Sequence, residues 1–188
     1  MSHIYIAFVD TPGIFASIIR NVLKQRYIHV AIGMDERMEE AYSIGRRNPA
    51  IPFFAGFVKE DKRKILKKYP YAGYMVCRIS CSIEQKEYIK AVLHRDFQNR
   101  YQYHYTIAGL PLILFQLPFK QKYYHTCSSY LAKLLEDAGI CKWKKHTSIV
   151  TPKDFYKDLE KEVIFEGPLY YLVNQKEKIH RTEYSPLW

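Results

Sequence analysis

The segment Thr126-Cys127-Ser128-Ser129-Tyr130 opens the clearest amphipathic helix of the chain, residues 127–138. Tyr130, Leu131, Leu134 and Leu135 recur on one stripe at helical spacing, and Gly139 stands where a left-handed cap is wanted. A helix this short is marginal in water by itself, so its stripe must cover an apolar surface built by other parts of the chain.

Short β-rich runs supply that surface. Residues 4–9 end at the turn Asp10-Thr11-Pro12-Gly13, and a helix is expected after it, with Ile14, Ile18 and Val22 at helical spacing. Residues 28–34 and 38–44 flank the polar turn Asp35-Glu36-Arg37 and are read as a hairpin. Residues 45–52 read as an irregular loop, and 62–68 as a short basic helix closed by Pro70. In residues 74–81 the set Met75, Cys77, Ile79 and Cys81 is the more apolar, which predicts a half-buried strand. Ser82 is a cap for a helix reaching Phe97, and Thr151-Pro152 with Asp154 marks another helix start. Residues 163–165 and 169–173, joined by Glu166-Gly167-Pro168, resemble a closing hairpin. These elements make an α+β domain.

With 188 residues, 48% hydrophobic and 26% charged, the chain is sized for a single domain spanning residues 1–188 and lies outside the disordered and low-complexity classes. Lys plus Arg number 29 against 19 Asp plus Glu, a net charge of +10, so anionic polymers and lipid headgroups are attracted to it. No zinc-finger or aromatic–basic RNA-binding signature accompanies the charge, and no specific nucleic-acid partner is expected. Residues 1–10 lack a secretory leader, which predicts a cytoplasmic protein. The most apolar stretch, residues 107–119, holds two prolines and a glutamine and is too short to span a bilayer; peripheral membrane contact is its compatible alternative. Cys77, Cys81, Cys127 and Cys141 form no CxxC pair, so free thiols, no metal site and no cofactor are expected.

A thiol at the amino end of a helix sits beside unpaired N–H groups that favour the thiolate and can receive an oxyanion. Cys127 holds that position, with the N–H groups of Cys127 and Ser128 as the oxyanion donors; an inert buried cysteine is the ordinary alternative. Among the 7 histidines, His29 opens the strand His29-Val30-Ala31-Ile32-Gly33, whose backbone would fix its ring. His125, two residues before Cys127, would point away along an extended approach. If residues 38–43 pair back on the His29 strand, Glu40 comes level with the imidazole, and a one-residue slip brings Glu39 instead.

Tyr27-Ile28-His29-Val30-Ala31-Ile32, then Glu40-Ala41-Tyr42-Ser43-Ile44-Gly45-Arg46, then His125-Thr126-Cys127-Ser128-Ser129-Tyr130, resembles the circularly permuted branch of the NlpC-type, papain-like cysteine hydrolases. Gly56-Phe57-Val58-Lys59-Glu60 and Thr151-Pro152-Lys153-Asp154-Phe155 are further echoes. The resemblance covers roughly residues 4–155. It implies a permuted papain-like fold, with an antiparallel, partly barrel-like sheet packed against helices. It also implies His29 as base, Glu40 rather than Glu39 as its polar partner, and Cys127 as nucleophile.

On that resemblance the protein is an amidase or peptidase that works through a thioester acyl-enzyme, with Tyr42, Ser43, Arg46 and Tyr124 around the substrate. Small-molecule, peptide and lipid amides or esters are the candidate substrates. Two other readings stand beside it. One is an acyltransferase or thioesterase resembling lecithin:retinol acyltransferase, whose residues 107–119 would meet lipid. The other is a non-catalytic basic module that binds anionic polymer or lipid.

Overall fold

The computed structural model describes residues 1–12, 16–17, 20–21, 24–47, 55–106, 109–119 and 122–174. The helix expected over residues 14–23, most of the 45–52 loop and the basic run 176–181 lie largely or wholly outside them. In chain order the strands are β1 (Ser2–Asp10), β2 (His29–Gly33), β3 (Ala41–Arg46), β4 (Ala55–Lys59), β5 (Gly73–Cys81), β6 (His104–Tyr105), β7 (Tyr124–His125) and β8 (Glu162–Pro168). The helices are α1 (Lys62–Lys68), α2 (Ile83–Gln98), α3 (Gly109–Leu114), α4 (Cys127–Asp137), α5 (Pro152–Asp158) and α6 (Leu169–Asn174). Short 3₁₀ turns lie at Arg100–Gln102 and Thr147–Ile149.

Six strands form an antiparallel sheet in the order β4-β3-β2-β1-β5-β8, while β6 and β7 make a small parallel pair beside it. The sheet is open, with β4 and β8 as its two edges, and does not close into a barrel. Alternation along the strands sends Ile4, Ile6, Phe8, Val30, Ile32 and Met75 to one face. There they meet Ile89 and Leu93 of α2, Leu131, Leu134 and Leu135 of α4, and Phe155 of α5. Leu131 and Leu135 are fully buried, each worth about 1.5–3 kcal/mol of transfer free energy. Ala7, Val9, Ala31, Ala41, Tyr74 and Val76 face the other way, onto Leu169 and Leu172 of α6.

Local caps close these helices, and those at Ser82, Thr151 and Gly139 were read from the sequence. Asp61 accepts from the backbone N–H groups of Arg63 and Lys64 at the start of α1. Ser82 and Gln85 exchange reciprocal bonds at α2, and at α5 the Thr151 N–H and hydroxyl both donate to Asp154 Oδ2. Gly139 adopts φ = +68° after α4, the left-handed conformation that lacks a Cβ penalty only for glycine.

Two expectations change. Residues 74–77 of β5 are buried on both faces rather than one, because α6 covers the side opposite the main helices. The closing hairpin is absent: Glu166, Gly167 and Pro168 extend β8, paired with Met75, Tyr74 and Gly73 of β5. The chain then turns into α6, where Leu169 and Leu172, three residues apart, bury one helical face.

Candidate active site

The connection between β2 and β3 sets where each side chain of the hairpin falls. The Asp35 carboxylate accepts from the backbone N–H groups of Arg37 and Glu40, both at 2.9 Å, and Met38 takes φ = +56°. Met34 N–H donates to Glu40 O, and pairing continues as Gly33↔Ala41 and Ile32↔Tyr42. It stops there. The same register would set Val30 against Ile44, but the Val30 N–H instead donates to the sulfur of Cys127. The amino end of α4 is thus seated at the parting of β2 from β3.

Thr126 holds that end of the helix. Its Oγ1 accepts from Ser129 N–H at 3.2 Å, and Ser129 Oγ accepts from Thr126 N–H at 2.9 Å. The Ser129 N–H is thereby spoken for, whereas the Ser128 N–H reaches the Cys127 sulfur. Ser128 Oγ donates to Val150 O at 2.6 Å, tying the helix to the turn Thr147–Ile149. Cys127 itself is 5% exposed.

His29 lies between two partners. Its Nε2 is 2.9 Å from Glu60 Oε1, and the ring also interacts with the Cys127 sulfur through charge and hydrogen bonding. Glu60, just past β4, accepts a second hydrogen bond from Ser43 Oγ. Its carboxylate runs over Gly45, where a Cβ would stand 3.5 Å from Oε1 and 3.1 Å from Ser43 Oγ.

Burial pushes the Cys127 thiol up, but the His29 charge and hydrogen bond, with the Val30 and Ser128 N–H groups, outweigh it and hold the thiol below its ordinary value. For His29, burial works against the charged ring; the Cys127 thiolate and the Glu60 carboxylate outweigh that and raise it. Burial opposes the charge of Glu60 too, yet His29 and then Ser43 keep it below the usual carboxylate range. All three shifts favour a thiolate–imidazolium pair backed by a carboxylate.

The structure brings Cys127 and His29 together and puts Glu40 elsewhere. Glu40 accepts from Tyr42 OH at 3.2 Å and pairs with His94 Nε2 at 2.7 Å. It lies opposite Met34, five residues beyond His29, about 17 Å along a strand. Glu40 and Tyr42 also share the α2 side of the sheet, whereas His29 follows the parity of Ala31 on the other side. Glu39, the other candidate, is engaged by Lys62 Nζ at 2.8 Å. The carboxylate at the imidazole is Glu60.

Two of the substrate positions are corrected likewise. Tyr42 is buried against Phe57, His94 and Phe97, its phenol pushed up to about 12 by burial and then by Glu40. Ser43 is fully buried and orients Glu60. Arg46 is exposed over the Tyr69 ring, close enough for its charge to act on Glu60 and Tyr105. Tyr124 is exposed and stacks on His104 at 5.3 Å. His125 is buried among Tyr103 and Tyr130, and burial lowers it to about 4, so at neutral pH its ring is uncharged.

Sequence reasoning missed Tyr105 altogether. β6 runs beside β7, the strand that leads into Cys127, and the Tyr105 phenol is raised by burial and then by the Cys127 charge, so it keeps its proton. No local pattern in His104-Tyr105 announces this. Glu60 did leave a signal: it closes the segment Gly56-Phe57-Val58-Lys59-Glu60 that was one of the echoes of the hydrolase family. Among the described residues no group of His, Cys, Asp and Glu is arranged to hold a metal ion. No helix among them is long and apolar enough to cross a membrane. No protein-family model, curated protein or solved structure matches the chain.

Proposed function

We propose that the protein is a cysteine hydrolase of the permuted papain-like type, an amidase or peptidase in which Cys127 is the nucleophile, His29 the acid–base and Glu60 the orienting carboxylate. The observation that carries this reading is one imidazole that engages both a thiol and a carboxylate, with the thiol at a helix amino end. The order of the three along the chain, His29 and Glu60 before Cys127, agrees with it.

In the reaction the Cys127 thiolate attacks the carbonyl carbon of an amide or ester, and the carbonyl electrons move onto oxygen. The N–H groups at the start of α4 are the donors for that oxyanion, and the protonated Tyr105 hydroxyl, near enough to feel the Cys127 charge, is a further donor in this reading. His29 gives its proton to the leaving amine or alcohol as the bond to carbon breaks, and a thioester remains. A water then attacks the thioester while His29 takes its proton, and the acid departs from Cys127. Glu60 stays ionised throughout and holds the ring in the tautomer and direction these transfers need.

Selective alkylation tests the reading. Burial pushes Cys77 and Cys141 up to about 11 and also raises Cys81, so at pH 6 each presents very little thiolate. Iodoacetamide at that pH is expected to modify Cys127 first, and His29→Ala to slow it. Equal, slow labelling of all four cysteines, with no amide or ester cleaved by wild type beyond Cys127→Ala, overturns the proposal.

A further inference from the structure

Residues 109–119 contain no charged side chain. They form α3 and a tight turn, closed by bonds from Phe115 N–H to Pro111 O, Gln116 N–H to Ile113 O and Leu117 N–H to Leu112 O at 2.8–3.2 Å. The Gln116 side-chain amide donates to Ile113 O as well. Only the root of this knob is anchored: Ile113 is buried, and Phe119 N–H donates to Ser148 Oγ at 3.1 Å. Its tip is bare, with Leu114 48%, Phe115 75% and Leu117 52% exposed.

Beside the knob lies a cavity of about 720 Å³, bordered by Pro118 and Phe119 and by the cations Arg95, Lys122 and Lys133. Arg95 and Lys133 are paired with Asp96 and Asp137. Lys122 makes no ion pair among the described residues and lies 5.6 Å from the centre of the Tyr123 ring.

We propose that this knob docks the protein on a membrane containing anionic phospholipid. Leu114, Phe115 and Leu117 enter the boundary between headgroups and acyl chains, and Lys122 meets the headgroups. A short apolar projection beside Lys122, on a chain of net charge +10, matches that surface on both counts, since each cation near an anionic bilayer adds attraction. A second copy of the chain fits it less well, because two molecules of charge +10 repel. The inference does not depend on the chemistry at Cys127. The turn that anchors the knob leads into Val150, whose carbonyl accepts from Ser128, the neighbour of Cys127.

Flotation of the full chain with phosphatidylcholine vesicles, with and without phosphatidylserine, tests this. Wild type and Cys127→Ala are expected to float with the phosphatidylserine vesicles and to be released by added salt. Phe115→Asp is expected to weaken that binding about tenfold or more, the effect of withdrawing one large apolar side chain from lipid. Lys122→Glu should weaken it only where phosphatidylserine is present. Circular dichroism shows whether these exposed-site variants remain folded, and Phe115→Ser serves if the aspartate does not. Three outcomes overturn the proposal: wild type fails to float, folded Phe115→Asp floats like wild type, or Phe115→Asp converts a dimer to a monomer.

Discussion

Replacing Glu60 by glutamine removes a negative charge from the Nε2 side of His29 and keeps the length of the side chain. Between the ionisations of the two groups, the Cys127–His29 pair holds one proton to share. On the imidazole it leaves a reactive thiolate; on sulfur it leaves an inert thiol. Glu60, 2.9 Å from Nε2 with a side chain 15% exposed, favours the imidazole. A charge-assisted hydrogen bond in such surroundings is worth about 1.5–3 kcal/mol, so without it the proton moves toward sulfur by about 10- to 100-fold.

The second-order rate of Cys127 alkylation, followed against pH by peptide mass spectrometry, reads that ratio. In Glu60→Gln it should fall about tenfold or more near pH 6–7 and recover at alkaline pH, where a thiol ionises without help. For turnover, the alkaline limb should move to lower pH, because His29 loses part of what raises it. Glu40→Gln, on the other side of the sheet, should leave both profiles in place. A Glu60→Gln profile that superimposes on wild type, or a Glu40→Gln profile that shifts, refutes the assignment of the third residue.

Tyr105→Phe should lower turnover about 10- to 100-fold while leaving the alkylation rate unchanged, because alkylation builds no oxyanion; parallel losses in both assays would instead make Tyr105 a packing residue. Gly45→Ala brings a methyl to 3.1 Å from Ser43 Oγ, so it should disturb Glu60 and slow alkylation at neutral pH with little change in Tm. Gly56→Ala differs, since its methyl would stand 2.3 Å from Tyr103 O. Backbone must move there, and thermal unfolding should fall by several degrees without a specific effect on the pH profile.

The elements whose rules are local were legible in the chain. Cap residues, the left-handed glycine and the 3.6-residue stripe of α4 depend on neighbours within a few positions, and Cys127 at a helix amino end followed from them. The hairpin of β2 and β3 was legible too, down to the turn at Asp35. The resemblance paired His29 with Cys127, and the structure brings the two within reach of each other.

The partner of His29 is a different kind of question. Glu39, Glu40 and Glu60 are chemically alike, and nothing local separates them. Glu60 lies 31 residues from His29, and what selects it is the stacking of β4 on β3, the side of the sheet it faces and the space above Gly45. The same holds for Tyr42 and Ser43, which the resemblance put around the substrate and which are buried once helices cover both faces of the sheet. A chain by itself determines which residues can form a helix end or a strand. Only the packed sheet decides which side chains share a face and a level, because that depends on contacts between segments far apart in sequence.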